Sequence, residues 1–504
     1  MTNLRQNIYQ VNSQNPQKYN VDGEDEIINQ LLKVASSAGF YNISSSENII
    51  FGCPKLPDSL QLRDYQLNAI NNWLNHQGRG ILKMATGSGK TITALAIATI
   101  LCQKINLQLL LVVCPFQHLV TQWHQECEKF NLNPILAFEN SRNWSNNLSR
   151  NLYNLKTGKI PFLSIITTND TLMSDTMQTQ LKYFPPLSLI IGDEAHNLGA
   201  KRSEESLPKN IGLRLGLSAT PERYFDDDGT DSIFNYFGDI LQPEFTLADA
   251  IKQGALVHYL YYPILVELTE DESNAYLRLT RRIGRILKYQ EQENIIIGDS
   301  EESQDLTTLL IQRARIISSA RHKLKALKQL MKKRLHTNHT LFYCGDSGVE
   351  NTRQLKAVTH ILGVELGYRV NTYTAETPLL EREQLRQQFE RGDLQGLVAI
   401  KCLDEGVDIP AIQTAVILAS STNPRQFIQR RGRILRPYPG KERATLFDMI
   451  VLPPDGDRQS VHIERSLLRK ELKRFVEFAD LADNSGEARI KLLQLQKRYD
   501  LLDI

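Results

Sequence analysis

Short apolar runs recur between residues 61 and 242, at 80–84, 109–114, 163–167, 189–192 and 213–217. Each has the length and composition of a strand buried on both faces of a parallel sheet. Helix-length segments separate them, so residues 61–242 predict an α/β domain in which helices cover a parallel sheet. A second series, at 340–344, 368–372, 396–400 and 414–419, predicts another such domain over residues 311–453. Residues 243–310 read as a linker and a helical insertion, charged around 270–292 and carrying Arg281, Arg282 and Arg285. Residues 1–60 read as an Asn- and Gln-rich tail, then a small accessory segment with helical spacing at Ile27, Ile28, Leu31, Leu32 and Val34. Residues 454–504 read as a polar helical tail.

A length of 504 residues exceeds what one core organises and suits two or three domains. With 41% hydrophobic and 23% charged residues, disorder, collagen-like repeats and coiled coil are set aside as global readings. A net charge of only +2 means that a polyanionic partner must be held by local basic patches. Cys53, Cys102, Cys114, Cys127, Cys344 and Cys402 form no C-x-x-C pair, which argues against zinc sites and for reduced thiols. The start lacks a secretory pattern and no run approaches the length of a bilayer span, so a cytoplasmic protein without a membrane partner is expected.

The chemistry begins at residues 80–91, G-I-L-K-M-A-T-G-S-G-K-T, which run from a predicted strand through a glycine-rich turn into an apolar helix. In that setting Thr86, Gly87, Ser88 and Gly89 form a turn whose backbone N–H groups wrap a polyphosphate. Lys90 can neutralise the β and γ phosphates, and Thr91 can place its hydroxyl on Mg²⁺. The strict phosphate-loop pattern has glycine where Met84 stands; a Gly-Ser turn that merely precedes a lysine is the plain alternative, disfavoured by the flanking strand and helix. A hundred residues on, the run 189–192 delivers Asp193 and Glu194, with His196 close behind. A lone Asp-Glu pair is ordinarily a solvated strand end, but in open α/β sheets ligands bind at that edge. Asp193 then suits a hydrated Mg²⁺, and Glu194 the orientation of an attacking water.

With these motifs in order, residues 62–437 resemble the superfamily 2 helicases that carry a DEAH signature. The segment L-R-D-Y-Q at 62–66 is similar to the family's adenine-recognition motif, which makes Gln66 the base-reading residue and implies ATP with Mg²⁺. V-C-P-F-Q-H-L-V-T-Q-W at 113–123 resembles the first nucleic-acid motif, and I-T-T-N-D-T-L at 166–172 the next. The resemblance assigns strand contacts to Pro115, Gln122 and Thr168, while Trp123, at helical spacing from Leu119 and Val120, reads as core. Ser218, Ala219 and Thr220 resemble the motif that couples hydrolysis to movement, with His196 in the same relay. L-D-E-G-V-D-I-P at 403–410 looks like the fifth motif, with Gly406 near the nucleotide and Asp408 at a ribose hydroxyl. Q-F-I-Q-R-R-G-R-I-L-R-P at 426–437 is similar to the sixth, which puts Gln429 in the coupling set and Arg433 and Arg436 at the γ-phosphate. Leu435 stands where the family often has glycine, and a plain nucleic-acid patch is the alternative for these arginines.

The R-D-Y-Q opening, the 84–91 loop, R-G-R-I-L-R and Y-L-Y-Y-P at 259–263 look most like XPB-type and restriction-motor proteins. The resemblance implies an ATP-dependent DNA helicase or duplex-DNA translocase, with its ATPase site between two RecA-like domains, serving repair or defence. An RNA helicase, or an ATP-gated subunit that recruits a partner nuclease, stays open as an alternative. Residues 312–334 hold nine Lys and Arg and no acidic residue. They read either as a phosphate-binding surface or as a helix packed through Ile317, Ala320, Leu324, Leu327 and Met331 with its basic side in water.

Overall fold

A computed structural model describes residues 52–223, 226–293, 301–345, 349–374, 376–400, 409–419, 432–454, 465, 468–469, 472–473 and 475–503. The readings placed on residues 1–51 and on Gly406, Asp408 and Gln429 lie outside the described residues. The chain divides into two units, residues 1–84 with 89–245 and residues 85–88 with 246–504, each built on its own six-stranded sheet. Both sheets are parallel throughout the described pairings and carry helices, the tandem α/β architecture expected from the spacing of the apolar runs. No described helix is long and apolar enough to cross a membrane.

In the first unit the strands are β1 (Arg79–Lys83), β2 (Leu109–Cys114), β3 (Ile135–Ala137), β4 (Leu163–Thr168), β5 (Ser188–Asp193) and β6 (Leu213–Ser218), in spatial order β1-β6-β5-β2-β4-β3. Every residue of β2, β4, β5 and β6 is buried, which is why these segments are apolar without alternation. The helices that bear on the site are α1 (Asp64–Asn75), α2 (Lys90–Ile105) and α3 (Gln117–Lys129). α3 buries Leu119, Val120, Trp123 and Cys127, one stripe at helical spacing. Gly192 of β5 and Gly216 of β6 face each other in register, and a Cβ on Gly192 would lie 2.6 Å from the Phe237 ring. The missing side chains let Phe237, fully buried at the end of helix Asp227–Phe237, lie against the sheet.

The second unit contains β7 (His258–Glu267), β8 (Thr340–Cys344), β9 (Val370–Tyr373), β10 (Gly396–Ile400), β11 (Thr414–Ile417) and β12 (Arg443–Leu452), in order β7-β12-β11-β8-β10-β9. β7 lies inside the stretch whose sequence reads as linker and insertion. It is an edge strand with a mixed burial pattern, and an edge tolerates Pro263, which has no N–H to give to a ladder. The chain near the C-terminus covers β7. Asn484 Oδ1 accepts from Tyr261 N–H at 2.8 Å, its Nδ2 donates to Tyr261 C=O at 3.0 Å, and Asp483 N–H donates to Tyr259 C=O at 2.9 Å. Phe478 stacks on the Tyr259 ring, with centroids 4.3 Å apart. These bonds satisfy an edge that would otherwise invite pairing with another chain.

The basic stretch belongs to two helices, Glu301–Ser319 and His322–Lys332, with Ala320, Leu327 and Met331 buried. Its apolar residues therefore pack as the helical spacing suggests, with one departure: Lys323 is buried and its Nζ donates to Ile317 C=O at 2.7 Å. Burial pushes the Lys323 ammonium down from 10.5 to about 7, an effect that Asp448 and Glu272 partly oppose. Between those values the unfolded chain holds a proton that the folded chain does not, so this group makes stability rise with pH across that window. Below about 7 both states are charged and the burial cost is fully present. Urea titration of wild type and Lys323→Met is expected to show the variant's relative stability greatest near about pH 7 and declining steadily toward about pH 10. A difference that does not change with pH would contradict this placement.

Candidate active site

Because the first sheet is parallel, the carboxyl ends of its strands share one edge, where open α/β folds bind ligands. The strand order sets out along that edge the loop after β1, then Ser218, then Asp193, then Pro115 after β2, then Thr168 at the end of β4. Lys83 lies in register with Ser218, Leu217 with Asp193, and Cys114 with Thr168. Residues far apart in the chain thus become neighbours through backbone pairing alone.

The loop after β1 turns on Gly87 and Gly89, whose φ angles of 86° and 87° are left-handed and would strain any other residue. Ser88 Oγ donates to Ala85 C=O at 2.7 Å, tightening the turn. α2 begins at Lys90 with Gly89 as its N-cap and no side chain capping the first turn. Uncapped amides at the positive end of a 16-residue helix form an anion site, and paired left-handed glycines shape a nest for one. Lys90 Nζ donates to Met84 C=O at 3.2 Å, so the lysine lies back across the loop. Thr91 follows in the first turn of α2 and is partly exposed. Donor amides, an ammonium and a hydroxyl together fit a polyphosphate with its cation. Met84, where the strict pattern has glycine, donates its N–H to Ser218 C=O at 3.1 Å and bridges to Phe245. At that point the chain is still sheet, and sheet does not require glycine.

Gln66 on α1 is buried against this loop. Its Oε1 accepts from Arg63 N–H at 3.0 Å, and its Nε2 donates to Thr93 Oγ1 at 3.3 Å and Gly89 C=O at 3.4 Å. A Cβ on Gly89 would come within 2.9 Å of that amide, so glycine at this position serves both conformation and close approach.

At the end of β5, Asp193 Oδ2 accepts from Trp123 Nε1 at 2.8 Å and Oδ1 from Glu194 N–H at 3.0 Å. Trp123 is 1% exposed, as its helical spacing suggests, yet its indole N–H is spent on holding this carboxylate. Sequence reasoning missed that bond, and no local signal links two residues 70 positions apart. Glu194 has φ 46° and ψ 54°, the left-handed region for a residue with a side chain, the kind of strained backbone that concentrates at functional sites.

A polar relay joins β5 to β6. His196 Nδ1 lies 3.1 Å from Ser218 Oγ and 3.6 Å from Glu194 Oε2. Asn197 Nδ2 lies 3.0 Å from His196 Nε2 and donates to Glu194 C=O at 3.2 Å. An amide donating to Nε2 leaves the imidazole proton on Nδ1, which then donates to Ser218 Oγ. Thr220 N–H also donates to Ser218 Oγ, at 3.1 Å, with Ala219 between them. Arg223, which sequence reasoning did not single out, donates through Nη1 to His196 C=O and through Nε to Asp226 Oδ2 at 2.6 Å.

Further along the edge a cleft of about 500 Å³ is lined by Pro115, Phe116, Glu139, Trp144, Thr168 and Asp170 among others. It brings Pro115 and Thr168 together, while Gln122, on α3, is not among its lining residues. Thr168 Oγ1 accepts from Thr171 N–H at 3.2 Å and caps the turn that follows β4. In the second unit, Arg433 and Arg436 lie on either side of Ile434 and Leu435, both buried. Leu435, in place of the frequent glycine, is a core residue whose C=O accepts from Val257 N–H at 2.8 Å.

Two family models match the chain: the type III restriction enzyme res subunit over residues 59–223 and the helicase conserved C-terminal domain over residues 322–438. Among curated proteins, the chain is 27% identical over 438 residues to the DNA 3'-5' translocase XPB2 of Sulfurisphaera tokodaii, covering 82% of this chain and 87% of that protein. It is 25% identical over 429 residues to the DNA 3'-5' helicase XPB of Mycobacterium tuberculosis, covering 83% of this chain and 66% of that one. Among solved structures, the ATP-dependent type ISP restriction-modification enzyme LlaBIII bound to DNA matches with a TM-score of 0.55 and 18% identity, over 90% of this chain and 34% of that chain. That structural likeness concerns the fold.

Replacing Trp123 with Phe keeps an aromatic ring in place but removes the indole N–H and part of the buried volume, and leaves a nearly buried carboxylate one donor short. Trp123→Phe is expected to lower unfolding free energy by about 1.5–3 kcal/mol, as for a lost bond to a charged group. Urea denaturation monitored by circular dichroism measures it, and an unchanged midpoint would show that the bond contributes nothing.

Proposed function

The chain belongs to superfamily 2 of the helicases, and from that premise we propose that it is an ATP-driven DNA motor of the XPB and restriction-motor kind. The observation that carries this reading is the arrangement of one sheet edge. The phosphate loop, the Asp193–Glu194 carboxylates, the His196–Ser218 relay and the Pro115–Thr168 cleft follow one another along paired strands. Nucleotide chemistry and strand grip therefore share a rigid support, which is what coupling hydrolysis to movement requires.

In this reading the amides of 86–89 and the Lys90 ammonium hold the β and γ phosphates, and Gln66, packed on the loop, selects adenine. Thr91 and Asp193 hold Mg²⁺, which when bound neutralises charge on the transferred phosphoryl group. Glu194 orients the attacking water and accepts its proton. Arg433 and Arg436 meet the charge that develops at the γ-phosphate, a contribution of about three to five orders of magnitude in related enzymes. Gly406 and Asp408 contact the nucleotide from the second unit, and Gln429 joins His196, Ser218, Ala219 and Thr220 in coupling. Pro115, Gln122 and Thr168 grip one strand, and the cleft that Pro115 and Thr168 line also carries Glu139 and Asp170.

DNA over RNA is supported by the two relatives whose names specify DNA. Action in the cytoplasm beside a nuclease or repair partner completes the proposal, since no nuclease cluster stands out in the sequence.

Steady-state ATP hydrolysis with no polymer, single-stranded DNA, duplex DNA and RNA tests it. Duplex DNA is expected to stimulate wild type most, and Lys90→Ala and Glu194→Gln to lower the stimulated kcat by about 100-fold or more. Stimulation by RNA alone would turn the reading to an RNA helicase, and no stimulation by any polymer would remove the motor.

A further inference from the structure

Arg433 lies in the helical stretch 432–434 and Arg436 just past the turn at Leu435, and a guanidinium that must meet a phosphate within hydrogen-bond distance needs a support that does not drift. Two consecutive carbonyls of that segment are held from elsewhere in the second unit. Leu435 C=O accepts from Val257 N–H at 2.8 Å, and Ile434 C=O accepts from Lys441 Nζ at 2.6 Å. The same ammonium donates to Pro410 C=O at 3.2 Å. Lys441 is only 6% exposed, and its backbone N–H donates to Tyr438 C=O at 2.9 Å, closing the turn that returns its side chain toward the arginines' own segment.

A buried ammonium carries a large desolvation cost. An apolar side chain of like volume would fill the same space without it, so packing alone does not account for a lysine here. An ammonium has three donors, enough to gather backbone carbonyls from segments that share no ladder. Pro410 closes the 403–410 motif and Ile434 lies within the 426–437 motif, so Lys441 joins the two stretches of the second unit that carry nucleotide chemistry in the proposed function.

We infer that Lys441 is a positioning residue for ATP hydrolysis: it ties Ile434, between the two arginines, to Pro410, and so fixes the reach of Arg433 and Arg436. The inference rests on the reading that those arginines act at the γ-phosphate. Lys441 touches neither nucleotide nor water in this role. Its loss leaves ATP binding by the loop at 86–91 intact and lowers the rate of the chemical step.

The test is DNA-stimulated ATP hydrolysis by the full chain. Lys441→Met is expected to lower kcat about tenfold or more while KM for ATP stays within about twofold. Lys441→Gln, which keeps an N–H donor, recovers part of the loss. In an Arg433→Ala/Arg436→Ala background Lys441→Met has little further effect on the residual rate, because both groups it positions are gone. Wild-type kcat in Lys441→Met overturns the inference, as does an equal fold-loss of rate in the Arg433→Ala/Arg436→Ala background, which marks a general structural role. Wild-type kcat in both Arg433→Ala and Arg436→Ala removes the γ-phosphate reading itself, and the inference with it, whatever Lys441 variants do. If Lys441→Met fails to fold by circular dichroism and gel filtration, Lys441→Gln carries the same comparison of backgrounds, with non-additivity expected and additivity contradicting.

Discussion

The backbone pairing of β6 with β1 on one side and β5 on the other is the constraint on which the site depends. It sets Lys83 opposite Ser218 and Leu217 opposite Asp193, and so fixes where the loop at 86–91, the relay and the carboxylates begin. A slip of one residue in a parallel pair would reverse every side chain and move the catalytic candidates off the edge. The register is protected by burial: every residue of β5 and β6 is buried, and Gly192 beside Gly216 leaves room for Phe237 to press against the sheet.

Polar groups at this edge are held by bonds that cross from one element to another. Trp123 reaches from α3 to Asp193, Gln66 from α1 to the start of α2, and His196 from the turn after β5 to Ser218 at the end of β6. Each brings a side chain out of water, where a satisfied bond restricts motion strongly and an unsatisfied one is costly. The left-handed backbone of Glu194 is tolerable in such surroundings because the strand before it and the relay after it leave few alternatives. In the second unit Lys441 does the corresponding work for the arginine segment, with a charge in place of a neutral donor.

Much of this was legible in the sequence because the signals are local. The 84–91 loop, Asp193–Glu194 and the apolar runs each state their chemistry within a dozen residues, and five strands of the first sheet follow from them. β3 escaped because three residues make no pattern, and β7 because an edge strand with Pro263 and mixed burial resembles linker. β12 escaped as well, although it is ten residues long and mostly buried, because it follows the arginine motif without a clear helix between. The bonds of Trp123 and Gln66 lay beyond sequence reasoning for another cause. Spacing along the chain carries no information about which donor meets which acceptor once strands have been reordered, and the order β1-β6-β5-β2-β4-β3 scrambles neighbours thoroughly. No local pattern marks Lys441 either, for the same reason.

Translocation on duplex DNA can be observed directly by displacement of a third strand. A duplex carrying a triplex-forming oligonucleotide is mixed with the protein, and release of that oligonucleotide is followed with ATP, with a non-hydrolysable analogue and with no nucleotide. Release that requires hydrolysable ATP and is lost in Glu194→Gln is the predicted result. A triplex that stays intact while ATP is turned over at the DNA-stimulated rate would contradict movement along the duplex.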